Sequence, residues 1–350
     1  MIGSLDDHRE RIASAIHSIV DDAAVHLDLV GSWGSDLRSR LTDFATRGKL
    51  MRGSLVAVGS EVFESPPDDD LYRIAAAVEL IQSFLLIHDD IMDEDHTRRG
   101  TPSVFEQYRQ LGVDGDFSNP RRFGESMGIC SGDVALLLAF EAVACSSFTA
   151  ELRVELVRRI ASEIADVGVA QMADVANGHR PNETTEDEIL SVYRWKTGRY
   201  TFSLPLSLGA RIAGASPEQT DRLALWGELQ GIIFQIRDDE IGLMEDETGK
   251  PSGSDVAADK QTLHRMKLFA ALPGSDWENV RTYFGSPLTR KHLQDVREAL
   301  VELGVLKEIS KVIDRLDQES NALLDQMGGL TSDARAGLEE IAAFNRGRRQ

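Results

Sequence analysis

The chain contains few cysteines, few aromatic residues and too few basic side chains to balance its acids. Only two cysteines, Cys130 and Cys145, occur in 350 residues, and they fall on one predicted helix too far apart to bridge each other. Free thiols are therefore expected, and with them a reducing, cytoplasmic location. The 38 basic side chains face 58 acidic ones, so the formal net charge is −20. This charge disfavours a nucleic-acid partner.

No apolar run is long enough, and free enough of polar groups, to cross a membrane. The longest one, around residues 74–92, is interrupted by Glu79, Gln82, His88 and Asp89, so we interpret it as a buried helix. The N-terminal stretch MIGSLDDHRE carries acids and no apolar core, unlike a signal or transit sequence. The sequence therefore predicts no stable membrane span.

Nearly every segment shows the period of an amphipathic α-helix, and the alternation typical of strands is almost missing. The pattern predicts an all-α protein of about a dozen helices, built as one domain over residues 1–350. Helices are predicted over residues 5–29 and 35–47. Residues 103–122 are polar and rich in turn-forming residues, which predicts a surface loop.

The most informative stretch is residues 80–102, where an apolar helix ends in clustered acids followed by two arginines. At 3.6 residues per turn, Asp89 and Asp93 project from one face of the helix end. Two carboxylates so placed repel each other unless a cation lies between them, and hard oxygen ligands suit Mg²⁺. Arg98 and Arg99 supply the forked donors that bind phosphate. The stretch therefore predicts a metal-bridged diphosphate site.

A second apolar helix also ends in paired aspartates, Asp238 and Asp239. We expect the two acidic helix ends to face one another across a cavity and to hold several metal ions there. Such a two-sided clamp is used when a phosphate group leaves. A single acidic helix end is commonly solvated surface, so the prediction of a metal site depends largely on the second acidic motif.

Basic residues occur in two informative settings. Lys49 and Arg52, three residues apart at a predicted helix start, share a face, and we expect the exposed backbone N–H groups of that helix start to add to an anion site. Lys196 lies on an otherwise apolar stretch, where burial without a compensating anion would be costly. Solvated surface is the ordinary alternative for Lys49 and Arg52.

These motifs, in this order, resemble those of the trans-isoprenyl diphosphate synthases, the all-helical prenyltransferases of isoprenoid biosynthesis. The likeness runs from about Gly48 to Lys260. It implies one large helical bundle of the isoprenoid synthase type, with the active-site cavity between helices. It also implies a transferase that condenses isopentenyl diphosphate with an allylic diphosphate, uses three Mg²⁺ ions per site and forms a homodimer.

The resemblance implies a role for each matching residue. The implied metal ligands are Asp89, Asp93, Asp238 and, mainly through water, Asp239. The implied catalytic residues are Asp89, Asp93, Arg98, Lys196 and Asp238. The implied substrate ligands are Lys49, Arg52, Gln82, Arg98, Arg99, Lys196, Thr197, Gln235, Lys250 and Lys260.

The chain departs from the family pattern in two motifs. The usual basic segment is Gly-Gly-Lys-Arg-x-Arg-Pro, from which Arg47, Leu50 and Gly53 differ. These departures leave the two main ligands in place but change the local loop. The second acidic motif is usually Asp-Asp-x-x-Asp, and Gly242 stands where its last carboxylate is expected.

Residues one turn before Asp89 are predicted to form the floor beneath a growing prenyl tail. Phe84 and Leu85 lie five and four residues before Asp89, so Phe84 is roughly 7 Å below the metal site. The resemblance associates one aromatic residue here, without a second beside it, with a C20 product. It thus implies geranylgeranyl diphosphate, with farnesyl diphosphate as the alternative. That Phe84 is simply a core residue is the competing interpretation.

A class I terpene cyclase shares the metal-triggered ionisation and the helical fold. Asp238, Gly242 and Asp246 fall at the spacing of the second metal motif in that family. A cyclase, however, has no use for the second diphosphate site that Lys49, Arg52 and Arg99 would form.

Two further alternatives follow from single features. A non-catalytic subunit of a heteromeric prenyl synthase is suggested by Leu50 and Gly242. The pair His88-Asp89 also suggests a phosphohydrolase of the HD type, but such a site needs additional histidine ligands, and the other histidines do not supply them convincingly.

Overall fold

A computed structural model describes residues 8–178, 184–244, 252–272 and 278–348. Within these ranges the regular structure is helical apart from one two-stranded hairpin, so the predicted all-α fold is confirmed. The chain divides into two compact units. Unit 1 comprises residues 1–160 and 205–216, and unit 2 comprises residues 161–204 and 217–350. A single domain over the whole chain stays a prediction.

The elements of unit 1 come mainly from the first half of the chain. They are α1 (Arg9–Asp22), α2 (Ala24–Val30), α3 (Ser32–Thr46), α4 (Met51–Glu61), α5 (Asp69–Met92), β1 (Thr97–Arg98), β2 (Thr101–Pro102), α6 (Val104–Asp114), α7 (Pro120–Ala144) and the first part of α8 (Ala150–Gly178). Most of α10 (Leu204–Ile212) also belongs to this unit.

The elements of unit 2 follow from the second part of α8. They are α9 (Glu186–Val192), a π-helix (Tyr193–Ser203), α11 (Pro217–Met244), α12 (Ser254–Ala257), α13 (Leu263–Ala271), α14 (Glu278–Arg281), α15 (Arg290–Glu302), α16 (Val305–Gln326) and α17 (Ser332–Gly347).

Helix α5 is the central helix of unit 1 and packs against α1, α4 and α7. Residues 74–83 of α5 are buried on every side of the helix, as expected for a helix that is apolar all round. Among the described residues, α5 and α7 are long and apolar enough to cross a membrane, which is weak evidence because core helices pass the same test. In α5, 72% of the most apolar 18-residue window is buried in the protein. This agrees with the interpretation of α5 as a core helix.

Two predictions for unit 1 need correction. The helix predicted over residues 5–29 is interrupted at Ala23, where α1 ends before α2 begins. The loop predicted over residues 103–122 is wrong, because α6 occupies residues 104–114. Its buried residues Val104, Phe105, Tyr108 and Gly112 follow a helical period that the intervening polar residues conceal.

In unit 2, α11 packs against the π-helix, α16 and α17. The core of this unit is built around Ile232, Ile233 and Ile236 of α11 together with Ile309 and Ile313 of α16. The polar residues at the end of α11 are therefore carried by a helix that is fixed by its apolar face.

Candidate active site

The first acidic motif lies at the C-terminal end of α5. The helix ends at Met92, and Asp93 follows as its C-cap. Asp93 is exposed, and the Asp89 side chain keeps 23% of its surface in contact with solvent. The C-terminal end of a helix carries a negative partial charge, so carboxylates placed there are stabilised by a cation. The structure thus places Asp89 and Asp93 where the sequence predicted them, on an accessible helix end.

Asp90 is buried beneath this motif and forms a hydrogen-bonded ion pair with Arg98. The Arg98 Nε donates to Asp90 Oδ1 at 2.6 Å, and Arg98 also lies 3.3 Å from Asp95 and 3.9 Å from Asp89. Burial raises the pKa of Asp90 to about 6, although the hydrogen bonds from Arg98 oppose that rise. Asp90 had no predicted role, and its position shows that it anchors the Arg98 guanidinium beside Asp89.

The hairpin β1–β2 directs the two arginines to different surroundings. Arg98 pairs with Thr101, so Arg99 and Gly100 form a two-residue turn. Both have positive φ, 53° and 75°, as a type I′ turn requires. Arg98 reaches the end of α5, whereas Arg99 Nη1 lies 3.4 Å from the carbonyl oxygen of Phe44.

Arg99 belongs to a cluster of basic residues around the start of α4. A side chain at Gly48 would displace the Arg99 guanidinium, which lies directly against the backbone there. Lys49 is exposed in the loop that leads into α4, and Arg52 lies in the first turn of that helix. Arg52 and Arg99 both act electrostatically on the buried carboxylate of Glu79. We name Lys49, Arg52 and Arg99 the basic cluster.

The expectation that backbone N–H groups at the start of α4 are exposed to bind an anion is wrong. Gly53 is buried, and its N–H donates to Glu79 Oε1 at 2.8 Å. Glu79 is itself only 4% exposed. The N–H group of Gly53 is therefore already used and does not add to an anion site.

The predicted floor residues Phe84 and Leu85 are half-buried on α5. The Phe84 ring packs edge-on against the His88 ring, with centroids 4.7 Å apart, and His88 Nε2 lies 3.1 Å from the carbonyl oxygen of Ile129. Gln82, predicted to contact substrate, is 9% exposed on the same helix. Phe84 thus rests on His88, which in turn contacts α7.

In unit 2, a π-helix carries Lys196 and Thr197. Such helices are rare and are found frequently at functional sites. A Cβ at Gly198 would lie 2.7 Å from the carbonyl oxygen of Glu228, so only glycine allows the π-helix to approach α11 this closely. Lys196 Nζ donates to Asp174 Oδ2 at 2.7 Å. The compensating anion expected for Lys196 is therefore a carboxylate in this structure.

A chain of hydrogen bonds joins the π-helix to the second acidic motif. The Thr197 hydroxyl donates to Gln235 Oε1 at 2.8 Å, and Gln235 Nε2 donates to Asp239 Oδ1 at 2.7 Å. Asp239 Oδ2 accepts from the Tyr193 hydroxyl, which in turn accepts from the N–H of Leu263 at 3.1 Å. Both oxygens of Asp239 therefore hold neighbouring side chains in place.

The two aspartates of this motif differ in environment. The Asp238 side chain is 51% exposed and accepts from Arg348 Nη1 at 2.9 Å. Asp239 is buried, and burial raises its pKa to about 8, helped by the nearby charge of Asp255 and opposed by the hydrogen bonds from Tyr193 and Gln235. Asp238 is thus the accessible ligand candidate, as predicted.

Asp255 lies close to the place of the missing carboxylate. Its Oδ2 is 4.0 Å from the position that a Cβ at Gly242 would occupy. Its Oδ1 is 3.7 Å from Lys260 Nζ, which was predicted to bind substrate. Lys250, the other lysine predicted for this loop, lies outside the described residues. Asp255 of α12 therefore places a carboxylate near Gly242.

Sequence reasoning missed four residues that the structure places among the predicted ones: Glu79, Asp90, Asp255 and Arg348. Glu79 had a visible signal, since a lone acid inside an apolar helix needs a partner. The other three had none, because each acts through a contact that local patterns do not reveal.

Within the described ranges, no three His, Cys, Asp or Glu side chains form a ready-made metal-binding group. The oxygen donors of the acidic motifs are of the type that binds Mg²⁺, which is usually held by one or two carboxylates together with waters and substrate phosphates.

Comparisons with known proteins identify the family of the chain. Residues 37–301 match the family model described as polyprenyl synthetase. A short chain isoprenyl diphosphate synthase of Methanothermobacter thermautotrophicus is 32% identical, over 85% of this chain and 85% of that protein. A geranylfarnesyl diphosphate synthase of Natronomonas pharaonis is 35% identical, over 81% and 77%. The crystal structure of a geranylgeranyl pyrophosphate synthase from Corynebacterium glutamicum, complexed with isoprenyl diphosphate and magnesium, matches with a TM-score of 0.91 at 29% identity, over 99% of this chain and 100% of that one.

Proposed function

This chain belongs to the polyprenyl synthetase family, and we propose that it condenses isopentenyl diphosphate with an allylic diphosphate to give mainly geranylgeranyl diphosphate. One observation supports two diphosphate sites in particular. Unit 1 holds an acidic helix end at Asp89 and, separately, the basic cluster around Glu79. Asp89 and Glu79 are ten residues apart on α5, about 15 Å along its axis. A transferase with two diphosphate substrates needs both features.

Magnesium fits the acidic motifs, and Asp89, Asp93 and Asp238 are its proposed ligands. All three are carboxylates that solvent can reach. Asp89 and Asp93 lie at the end of α5, whereas α11 continues beyond Asp238 to Met244, so the prediction that this helix ends in the paired aspartates is wrong. Asp239 is proposed to act mainly through water. Bound magnesium would neutralise the charge that develops on the leaving diphosphate. Three ions per site are proposed from the resemblance stated above.

The side chains of the protein bind and orient the two substrates. Arg98, held by Asp90, and Lys196, beside Asp174, are proposed to bind the allylic diphosphate, with Thr197 assisting. The C–O bond of that substrate breaks to an allylic cation and pyrophosphate. The isopentenyl double bond attacks the cation, and pyrophosphate takes the released proton. The protein stabilises the developing charge, aligns the reactants and keeps out water.

The second substrate is proposed to bind through the basic cluster, with Gln82 and Gln235 near its isopentenyl group. Lys260, beside Asp255, is proposed to close over the allylic diphosphate together with Lys250. Phe84 and Leu85 are proposed to limit the tail, and the packing of Phe84 against His88 supports a firm floor.

Product analysis tests this function directly. The purified chain is incubated with Mg²⁺, isopentenyl diphosphate and, separately, dimethylallyl, geranyl or farnesyl diphosphate, and the products are separated by length. We expect geranylgeranyl diphosphate as the main product from all three primers. Longer or shorter main products would refute the C20 proposal. Absence of turnover would favour a non-catalytic subunit, and hydrocarbon formed from geranylgeranyl diphosphate alone would favour a cyclase.

We also propose a cytoplasmic homodimer. The exposed free thiols of Cys130 and Cys145 support a reducing location. Helix α7 leaves Leu137 66% exposed and Ile129 39% exposed, and only 44% of its most apolar window is buried within the chain. Light scattering should give twice the chain mass, and Leu137→Glu should lower it to the monomer. A monomeric wild-type protein would refute the dimer.

A further inference from the structure

We propose that Glu79 is a positioning residue for isopentenyl diphosphate, because it caps the start of α4 from the neighbouring helix α5. In doing so it fixes the segment that carries Lys49 and Arg52. This inference rests on the proposed function, since it takes the basic cluster as the isopentenyl diphosphate site.

Helix α4 has no capping side chain of its own. Its N-cap is Leu50, which makes no side-chain hydrogen bond and has left-handed backbone angles, with φ at 50°. The first N–H groups of any helix lack partners within that helix. A Ser, Thr, Asp or Asn at the N-cap usually satisfies the second or third of them, and its loss costs about 1 kcal/mol. Leucine cannot do this.

Glu79 supplies the missing acceptor. Its Oε1 accepts from the N–H of Gly53, the third residue of α4, at 2.8 Å. Its carboxylate also accepts from the backbone N–H of Arg52, the second residue. These are the two N–H groups that a capping side chain would normally bind. A buried acid of α5 therefore replaces the N-cap side chain of α4.

The bond to Gly53 depends on a departure from the family pattern. The related segment has proline at this position, which carries no N–H and cannot donate. A Cβ at Gly53 would lie 3.1 Å from the carbonyl oxygen of Ala75 and 3.0 Å from Ile12 Cδ1, so the site is also tight. This chain thus gains a donor that a proline lacks, and Glu79 accepts from it.

Glu79 also holds two cations of the basic cluster near each other. Arg52 and Arg99 repel one another, and the Glu79 carboxylate attracts both. Burial raises the pKa of Glu79, whereas Arg52 and the Gly53 N–H oppose that rise. In its ionised form Glu79 therefore offsets the repulsion between the two arginines.

The first test is Glu79→Gln, which keeps the shape of the side chain and removes its charge. We expect KM for isopentenyl diphosphate to rise roughly tenfold, because a charge-assisted cap and the balance between two arginines are weakened. The value of kcat and KM for the allylic substrate should stay within about twofold, since Asp89 lies about 15 Å away along α5. Glu228→Gln, a half-buried glutamate paired with Arg194 in unit 2, is the matched control and should leave KM for isopentenyl diphosphate unchanged.

The second test isolates the N–H of Gly53. Gly53→Ala and Gly53→Pro both add a Cβ, but only the proline variant removes the N–H. We expect KM for isopentenyl diphosphate to rise several-fold more in Gly53→Pro than in Gly53→Ala. In the double variant Glu79→Gln/Gly53→Pro the rise should be smaller than the product of the two single rises, because both changes act on the same hydrogen bond: Glu79→Gln weakens it and Gly53→Pro removes it.

An unchanged KM for isopentenyl diphosphate in Glu79→Gln would overturn the proposal, as would equal rises for both substrates. If Glu79→Gln does not fold, the two Gly53 variants decide, and equal KM values in them refute the role. If the wild-type enzyme turns over normally and these variants show no effect, the positioning role of Glu79 is refuted and the proposed function is not. A wild-type chain without turnover refutes the proposed function, and the substrate assignment of Glu79 with it.

Discussion

Among single side chains, Phe84 is the one proposed to set the length of the product. Its ring is half-buried and rests on His88, so it cannot turn aside easily to admit a longer tail. Leu85, its neighbour in sequence, is also half-buried but is aliphatic and carries no ring that could stack on His88. The contact between the two rings therefore makes Phe84 the stronger candidate for the floor.

Phe84→Ala should shift the product to chains longer than C20, because it removes the ring that blocks the tail. The measurement is product length with farnesyl diphosphate as primer. Leu86→Ala, at a half-buried position of the same helix, is the control for general loosening and should leave product length unchanged. Unchanged products in Phe84→Ala would mean that Phe84 is an ordinary core residue.

From the raised pKa of Asp239 we predict how the free energy of unfolding depends on pH. Its pKa in the folded protein is about 8, whereas an unperturbed aspartate has a pKa of about 3.9. Between these values the folded state binds a proton that the unfolded state has released. The free energy of unfolding should therefore fall as pH rises through this window, by about 1.4 kcal/mol per pH unit for this group.

Asp239→Asn removes that titration and should flatten the pH dependence. Urea unfolding at pH 5, 6 and 7, without Mg²⁺, should show the variant gaining stability relative to wild type at each step. Asp238→Asn, at the exposed neighbouring position, is the control and should show a much smaller change with pH. A constant difference between Asp239→Asn and wild type would show that Asp239 is already ionised at pH 5.

Among the helices, α4 and α10 approach so closely that glycine is needed on both. A Cβ at Gly59 would clash with the carbonyl oxygen of Leu206, and a Cβ at Gly209 would clash with that of Val56. Because carbonyl groups of a helix cannot move aside alone, the two helices would have to separate. The start of α4, which carries Arg52, would then shift as well.

Gly209→Ala should therefore lower the free energy of unfolding, by about 1–3 kcal/mol as in other overpacked sites. Gly168→Ala is the matched control, because nothing lies within 4 Å of the Cβ it would add to α8. There the change should raise stability by about 0.5–1 kcal/mol, since alanine favours the helix. Urea unfolding of both variants measures the difference, and equal effects would contradict the close approach.

Some helices could be predicted well because their signals are local. The apolar run of α5 is confirmed as a buried helix. Two helix starts also carry local signals in the sequence, a capping box of Thr185 and Glu188 before α9 and Pro217 as the first residue of α11. Helix α6 was missed because Glu106 and Gln107 fall between its buried residues and weaken the apolar pattern. The π-helix gave no signal, since it differs from an α-helix only in which carbonyl each N–H reaches.

Over the chain as a whole, contacts between distant residues decide what the motifs alone could not. Glu79 and Gly53 are 26 residues apart, and Arg348 and Asp238 are 110 apart. Acidic and basic residues at helix spacing were sufficient to propose candidate side chains, whose roles stay predictions. Their partners were not predictable, because a partner comes from wherever the fold brings another element.

Arg348, the C-cap residue of α17, contacts the second acidic motif. Its guanidinium donates to Asp238 and lies over the Phe234 ring, 4.1 Å from the centroid, and the arginine is only 10% exposed. Asp238 is also the proposed magnesium ligand of this unit. The positive charge of Arg348 repels a magnesium ion at the same carboxylate, so the two cations should compete for Asp238.

Arg348→Gln should therefore strengthen Mg²⁺ binding, lowering the apparent Kd by a few-fold, because a charged competitor for Asp238 is lost. The measurement is a calorimetric titration with Mg²⁺ in the presence of inorganic pyrophosphate. Arg346→Gln is the matched control, since Arg346 pairs with Asp317 and should leave Mg²⁺ binding unchanged. Weaker Mg²⁺ binding in Arg348→Gln would show the reverse, that Arg348 supports the metal site by holding Asp238 in position for the ion.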